Sequence, residues 1–214
     1  MQDREMTFLL ARPEQRLLRA IATRLPGFVR PDHLTVLALG AAVAFAVAAA
    51  TGHFWAAAAL LVVHWFGDSL DGTLARVRRT ERPRYGYYLD HVVDAVATAM
   101  IGIGLGLSPH LLLATGLLVV VAYLVLSINT YLETQSLGVF SLGYGRLGPT
   151  EARIALIGLN VAMALGVPLH FAVAGVTVSA LDVVAVAVVI AMLAAFGVRV
   201  AGNLRELAAR EPAF

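Results

Sequence analysis

The chain reads as long apolar runs separated by short polar connections. Six runs follow one another, at about 33–50, 53–75, 87–107, 110–132, 151–168 and 179–201. They are continuous rather than alternating, which argues for helices and against the two-residue period of an outer-membrane barrel. Each is close to the roughly 20 residues that a helix needs to cross the hydrocarbon core. Thr51-Gly52 ends the first run, Arg76 the second and Ser108-Pro109 the third; the fifth weakens at Pro168. Ahead of them, residues 1–30 are mixed. Leu17, Leu18, Ile21 and Leu25 share one helical face, with Arg16, Arg19 and Arg24 mostly off it. That pattern predicts an amphipathic helix, lying on the membrane surface with its arginines at lipid phosphates or packed on the chain's own helix ends. The expected fold is therefore all-α: a polytopic membrane protein with six transmembrane helices and an N-terminal amphipathic surface helix. Residues 1–30 form a cytoplasmic juxtamembrane segment, and 31–214 a single six-helix domain. One composite loop, 133–150, carries Gly138, Gly143, Gly145 and Gly148 with Phe140 and Tyr144.

Composition supports this pattern. Of 214 residues, 59% are hydrophobic and 14% charged, and the mean hydropathy is +0.80. Soluble domains carry about 45–50% apolar and about 25% charged residues, so a soluble or disordered chain is excluded. There is no cysteine, hence no disulfide framework, thiolate metal site or cysteine nucleophile. All 16 basic residues are arginine, so no lysine Schiff base can form. Six arginines lie in 1–30, five in 76–84, two in 146–153 and three in 199–210. The connections near 51–53, 108–110 and 168–178 have none. The positive-inside rule then places both termini in the cytoplasm, and it accounts for the pI near 9.3 without a nucleic-acid partner. Arg12, Arg16, Arg19 and Arg24 interrupt the N-terminus before an apolar core forms, so no signal peptide is expected.

The candidate chemistry lies in residues 67–94. Asp68 and Asp71 are three apart at the cytoplasmic end of the second run; Asp90 and Asp94 are four apart at the start of the third. Each spacing puts its pair on one helical face, and the short basic connection makes the two helices antiparallel neighbours. Four carboxylates then converge at the inner edge of the membrane. Clustered acids repel one another and are costly beside lipid unless a cation is present. Hard oxygen ligands suit Mg²⁺, Mn²⁺ or Ca²⁺. The competing arrangement pairs these acids with Arg76, Arg78, Arg79, Arg82 and Arg84 of the connection. Gly72, Ala75 and Gly86 leave space beside the carboxylates, where a flat group such as a nucleobase can approach the backbone, or where helices can pack closely.

Asp68, Asp71, Gly72, Ala75, Arg76, Gly86, Asp90 and Asp94 together resemble the signature D-x2-D-G-x2-A-R-x8–9-G-x3-D-x3-D of the CDP-alcohol phosphotransferase family. Pro31-Asp32-His33-Leu34-Thr35 looks like the family's P-N-x-L-T at the first span, with Asp32 where Asn is usual. The amphipathic helix and six spans match the family's architecture. The resemblance implies an enzyme of phospholipid synthesis: an alcohol hydroxyl attacks the distal phosphorus of a CDP-linked donor, and CMP leaves. It implies divalent metal, Mg²⁺ or Mn²⁺ and two ions, on Asp68, Asp71, Asp90 and Asp94. Asp94 is also the expected general base, and Gly72, Ala75, Arg76 and Gly86 the nucleotide site. It further implies a homodimer in a bacterial or archaeal cell membrane, with the site cytoplasmic and one of the two substrates a lipid.

The favoured donor is CDP-diacylglycerol. His91 after Asp90 is reminiscent of the alternative branch, which joins CDP-choline or CDP-ethanolamine to diacylglycerol. Arg153 and Arg199, at cytoplasmic helix ends, are candidates for a phosphate of acceptor or donor, or for lipid headgroups. Glu133 and Glu151 can instead hold a cationic amino-alcohol. Thr150 reads as a helix N-cap with Glu151 in the first turn. His64, Trp65 and Asn129 read as packed or interfacial residues, and Asp182 as solvated or locally paired. A divalent-cation transporter is the rival from another class, but transporters place acids near the midplane on broken helices. A prenyltransferase would need a second acidic motif, which is absent from the sequence.

Overall fold

A computed structural model describes residues 10–138, 149–167, 170–173 and 176–211. Most of the composite loop expected at 133–150, with Phe140, Gly143, Tyr144, Gly145 and Gly148, lies outside them. The described chain runs α1 (Ala11–Ala22), α2 (Pro31–Ala50), α3 (Phe54–Arg78), α4 (Pro83–Gly106), α5 (Leu113–Leu137), α6 (Pro149–Ala164), β1 (His170–Val173), β2 (Val176–Ser179) and α7 (Ala180–Arg210). The six apolar runs correspond to α2 through α7. Four helices, α2, α4, α5 and α7, are long and apolar enough to cross a membrane. Helix α3 has 25 residues but carries the acidic motif, and α6 has only 16.

The helix ends follow local chemistry. Pro31 and Pro83 open α2 and α4, where a missing N–H costs nothing. Thr51 and Gly52 close α2: the Thr51 hydroxyl donates to Val47 O at 2.8 Å, and Gly52 takes φ +76°. Arg79, at φ 55°, ends α3 in the left-handed conformation, and the Thr80 N–H reaches back to Ala75 O at 3.0 Å. Gly138 ends α5 in the same region at φ 71°.

The α2/α3 interface is built from small residues. Ala38, Ala42, Ala49 and Ala57 are fully buried around Phe45 and Leu61. A Cβ at Gly67 would stand 2.6 Å from Leu34 O and 2.9 Å from the Ala38 nitrogen, so only glycine allows this approach. Gly116 does the same between α5 and α4, where a Cβ would lie 2.6 Å from Gly102 O. These contacts fix the height of the acidic half of α3 against α2 and the crossing of α4 with α5.

The apolar face of α1 is spent on protein. Leu18 and Ala22 are buried against Leu34, Leu70 and Leu74, flanked by Ile21, Leu25, Val29, Trp65 and Phe66. Leu17, one residue and about 100° away, is 51% exposed and does not join them. Arg12, Gln15, Arg16 and Arg19 line an open recess of about 440 Å³ on the helix.

Two local readings are corrected. The connection near 168–178 contains an antiparallel hairpin, pairing His170 with Ser179 and Phe171 with Val178. The fold is thus not wholly α; the local signal was Ala174-Gly175 set between β-branched residues. Thr150 lies inside α6 rather than at its cap, and its hydroxyl donates to Glu14. At the same end as the hairpin, Ser179 accepts the Leu181 N–H as the α7 cap and donates to His110 O at 2.5 Å. Asp182 accepts the Leu112 N–H at 3.1 Å, which is the local pairing expected of it.

Candidate active site

Asp68 projects from the middle third of α3, and Asp90 and Asp94 from the first half of α4. Each can offer a carboxylate oxygen such that all three atoms lie within 4.8 Å of one another. All three side chains are partly buried. Three hard anionic oxygens at that separation could hold a metal ion.

The fourth carboxylate, Asp71, is not one of these three. Asp71 Oδ2 accepts the Thr35 hydroxyl at 2.6 Å, and its Oδ1 faces the Gly72 N–H at 2.5 Å. Of the four expected acids, three thus stand within mutual reach and Asp71 beside them is bonded to α2. Three residues of helix rotate a side chain by about 300°, leaving Asp71 about 60° off Asp68 and toward α2. Thr35 belongs to the motif-like start of the first span, but its partner was not foreseen.

Arg153 enters from α6. Its Nη2 donates to Asp68 Oδ2 at 2.6 Å, with both side chains mostly buried. Arg199 pairs with Glu133: its Nε donates to Glu133 Oε1 at 3.0 Å, joining α7 to α5. That buried ion pair occupies Glu133, which had been a candidate for an amino-alcohol. Glu151 accepts the Leu10 N–H at 3.0 Å.

The connection arginines are partly engaged elsewhere. Arg78 donates to Leu25 O at 3.0 Å and Pro26 O at 2.8 Å, and also to Val29 O, tying α3 to the α1–α2 linker. Arg82 pairs with Asp32 and lies over the Tyr85 ring at 3.9 Å. Asp32's carboxylate raises the Arg82 pKa above its ordinary value. The two arginines thus brace α1 and α2 rather than neutralise the trio.

The two glycines of the motif differ in the room beside them. A Cβ at Gly86 would meet nothing within 4 Å among the described residues, and one at Gly72 would meet Arg76 Nη1 at 3.3 Å. Close helix packing, which does explain Gly67, explains neither. Ala75 is partly buried and Arg76 exposed; Arg76 Nη2 reaches the Thr73 hydroxyl at 3.1 Å. His91 stacks between Tyr87 and Tyr131, with ring centroids 4.0 and 4.7 Å away. Its Nδ1 lies 2.7 Å from Tyr87 O.

Of the residues read as packed, His64 is buried, with Nδ1 3.1 Å from Ala38 O. Trp65 donates its indole N–H to Glu14 at 2.9 Å. A groove of about 180 Å³ runs between α3 and α6, lined by Val62, Trp65, Thr150, Ile154 and Ile157, with Arg153 beside them.

Comparison with known proteins gives the family. A model of the family described as CDP-alcohol phosphatidyltransferase matches residues 28–201. No curated protein matches the chain. Among solved structures, it is similar to a phosphatidylinositol phosphate synthase of Mycobacterium tuberculosis in apo form. Identity is 22%, over 72% of this chain and 90% of that one, with a TM-score of 0.46. Because the family match runs from just ahead of α2 into α7 and takes in every residue of the acidic site, the chain belongs to the CDP-alcohol phosphatidyltransferase family and is a CDP-alcohol phosphotransferase.

Proposed function

We propose that this enzyme transfers a substituted phosphate from CDP-diacylglycerol to a polar alcohol, releasing CMP, at the cytoplasmic face of a six-span membrane domain. The convergence of Asp68, Asp90 and Asp94 carries the reading. The donor set fits a hard divalent ion, Mg²⁺ or Mn²⁺: it is made of carboxylate oxygens, and the chain has no cysteine sulfur to offer. Asp68, Asp90 and Asp94 would hold the ions, and Asp71 would contribute from its position beside Thr35. When bound, such ions supply charge neutralisation to the donor diphosphate and to departing CMP.

The chain's own residues do the remaining work. Asp94 takes the proton of the acceptor hydroxyl as its oxygen attacks the distal phosphorus, while the bond from that phosphorus to CMP breaks. The open space at Gly86, with Gly72, Ala75 and Arg76 on the facing helix, suits the cytidine. Arg153, beside Asp68, and Arg199 are the guanidinium groups offered to phosphate. The apolar groove ending at Arg153 suits a lipid chain whose phosphate lies at the same guanidinium. The four arginine-bearing segments support a cytoplasmic site with both termini on that side. A homodimer is expected from the family resemblance.

CMP release by purified enzyme tests this. CDP-diacylglycerol is offered with a panel of polar alcohols, and CDP-choline or CDP-ethanolamine with diacylglycerol, with Mg²⁺ or Mn²⁺ present. Acceptor-dependent CMP from CDP-diacylglycerol, lost in Asp71→Asn, supports the proposal. CMP from CDP-choline or CDP-ethanolamine alone would refute the donor. Asp94→Asn should abolish turnover while nucleotide still binds; near-normal turnover would remove Asp94 as the base.

A further inference from the structure

Glu14, on α1, lies outside the acidic motif, yet its carboxylate joins three helices. It accepts the Trp65 indole N–H from α3 at 2.9 Å. It also faces the Thr150 hydroxyl of α6, at 2.9 Å from each of its oxygens. One residue further along α6, Glu151 Oε1 accepts the Leu10 N–H from the start of α1 at 3.0 Å. An acid of α1 thus holds α6, and an acid of α6 holds α1.

The place of these bonds gives them a consequence. Trp65 lies three residues before Asp68 on α3, and Thr150 three before Arg153 on α6. Within a helix that distance is less than one rigid turn. Helix α6 leans chiefly on α3, through Leu156, Ile157 and Leu159 and the buried Met163. Those apolar contacts resist separation but define sliding and rotation poorly, because dispersion is non-directional. Charge-assisted bonds to a carboxylate are directional and about twice as strong as neutral ones. The Arg153–Asp68 ion pair, at 2.6 Å, reaches the acidic trio from outside α3 and α4.

We propose that Glu14 is a positioning residue of the active site, setting α6 against α3 so that Arg153 stands at Asp68. This rests on the role given to Arg153 above. Helix α1 is then part of the machinery rather than only a membrane-surface appendage.

A double-mutant cycle tests the proposal. CMP release is measured for wild type, Glu14→Ala, Arg153→Ala and the double variant, and Mn²⁺ binding by EPR is measured on the same proteins without substrate. If Glu14 acts through Arg153, Glu14→Ala lowers kcat/KM by about 10- to 100-fold, the usual cost of a displaced active-site group. The double variant is then no worse than Arg153→Ala alone. Glu14→Gln, whose amide oxygen can still accept from Trp65, keeps most of the rate. Losses that multiply in the double variant, as expected for independent sites, would overturn the proposal. So would a Glu14→Ala enzyme with the wild-type rate. If wild type releases no CMP, the functional reading fails and the Mn²⁺ arm decides alone. Glu14→Ala should shift Mn²⁺ affinity when Arg153 is present and leave it unchanged once Arg153 is replaced; equal shifts in both backgrounds would refute the coupling. Trp65→Phe, which removes a single donor, enters the same cycle if Glu14→Ala does not fold.

Discussion

Thr35→Val is the sharpest probe of how the site is held. It replaces a hydroxyl by a methyl of similar size and removes the donor to Asp71 Oδ2. Thr35 is only 6% exposed, so an Asp71 that loses this partner is left with an unpaired oxygen at a helix interface. Two magnitudes compete. Neutral hydrogen bonds between membrane helices average about 0.6 kcal/mol. Bonds to a charged group are worth about 1.5–3 kcal/mol. The 2.6 Å separation lies in the range of an O–H···O⁻ bond, so the larger figure applies. We expect a loss of about 2 kcal/mol, measured by unfolding in detergent. If Asp71 must keep this orientation to work, the same energy is worth about 30-fold in CMP release. Thr35→Ser retains the hydroxyl and should remain near wild type in both assays. A Thr35→Val enzyme that loses less than about 0.6 kcal/mol and keeps full turnover would refute the argument, since the bond would then be an ordinary neutral one.

Gly67→Ala should destabilise strongly, by about 1–3 kcal/mol of overpacking, because its Cβ would meet Leu34 O at 2.6 Å; unfolding in detergent checks this, and Gly86→Ala, with open space around it, should unfold normally while weakening nucleotide binding. Chelation of divalent metal should abolish CMP release, with Mg²⁺ or Mn²⁺ restoring it in wild type and failing to do so in Asp90→Asn. Burial, and then His170, lower the His110 pKa below its ordinary value. The folded state therefore takes up that proton less readily than the unfolded chain, so stability is lost as pH falls through the ordinary histidine range. Thermal unfolding across that range should show the loss in wild type and less of it in His110→Gln.

What could be read from the sequence was what lies close along the chain. The six helical runs are visible because each is an uninterrupted apolar stretch between Gly, Pro or Arg. The trio is visible because Asp90 and Asp94 are one turn apart and Asp68 sits on the neighbouring helix. The spacing of Asp68 and Asp71 was less decisive: i,i+3 puts two side chains near one face but not on one line, and the Thr35 hydroxyl drew Asp71 aside. The destinations of Arg153 and Arg199 were set by tertiary packing. Both stand at the ends of apolar runs in the sequence, where a guanidinium can reach a phosphate, a headgroup or an acid, and periodicity does not choose among these. Glu14 gave no signal at all. Its partners are 51 and 136 residues away, and an acid in the first turn of a surface helix is ordinarily explained by the helix dipole. The hairpin was missed because two four-residue strands are too short for a period to stand out in an apolar stretch.

The placement of the trio follows from the packing around it. Carboxylates this close repel, and near a membrane the repulsion is poorly screened. Helices free to slide would relax it by drawing the acids apart. Here α3 cannot move away from α2, because Gly67 has brought their backbones into contact. Helix α4 packs against α2 as well as α5, so Asp90 and Asp94 are held on the same frame. The rigid small-residue contacts thus sustain an electrostatic strain that the Arg153–Asp68 pair offsets in part. The residual negative charge, fixed in space before any ligand arrives, would favour a divalent cation and, with the cation, an anionic diphosphate.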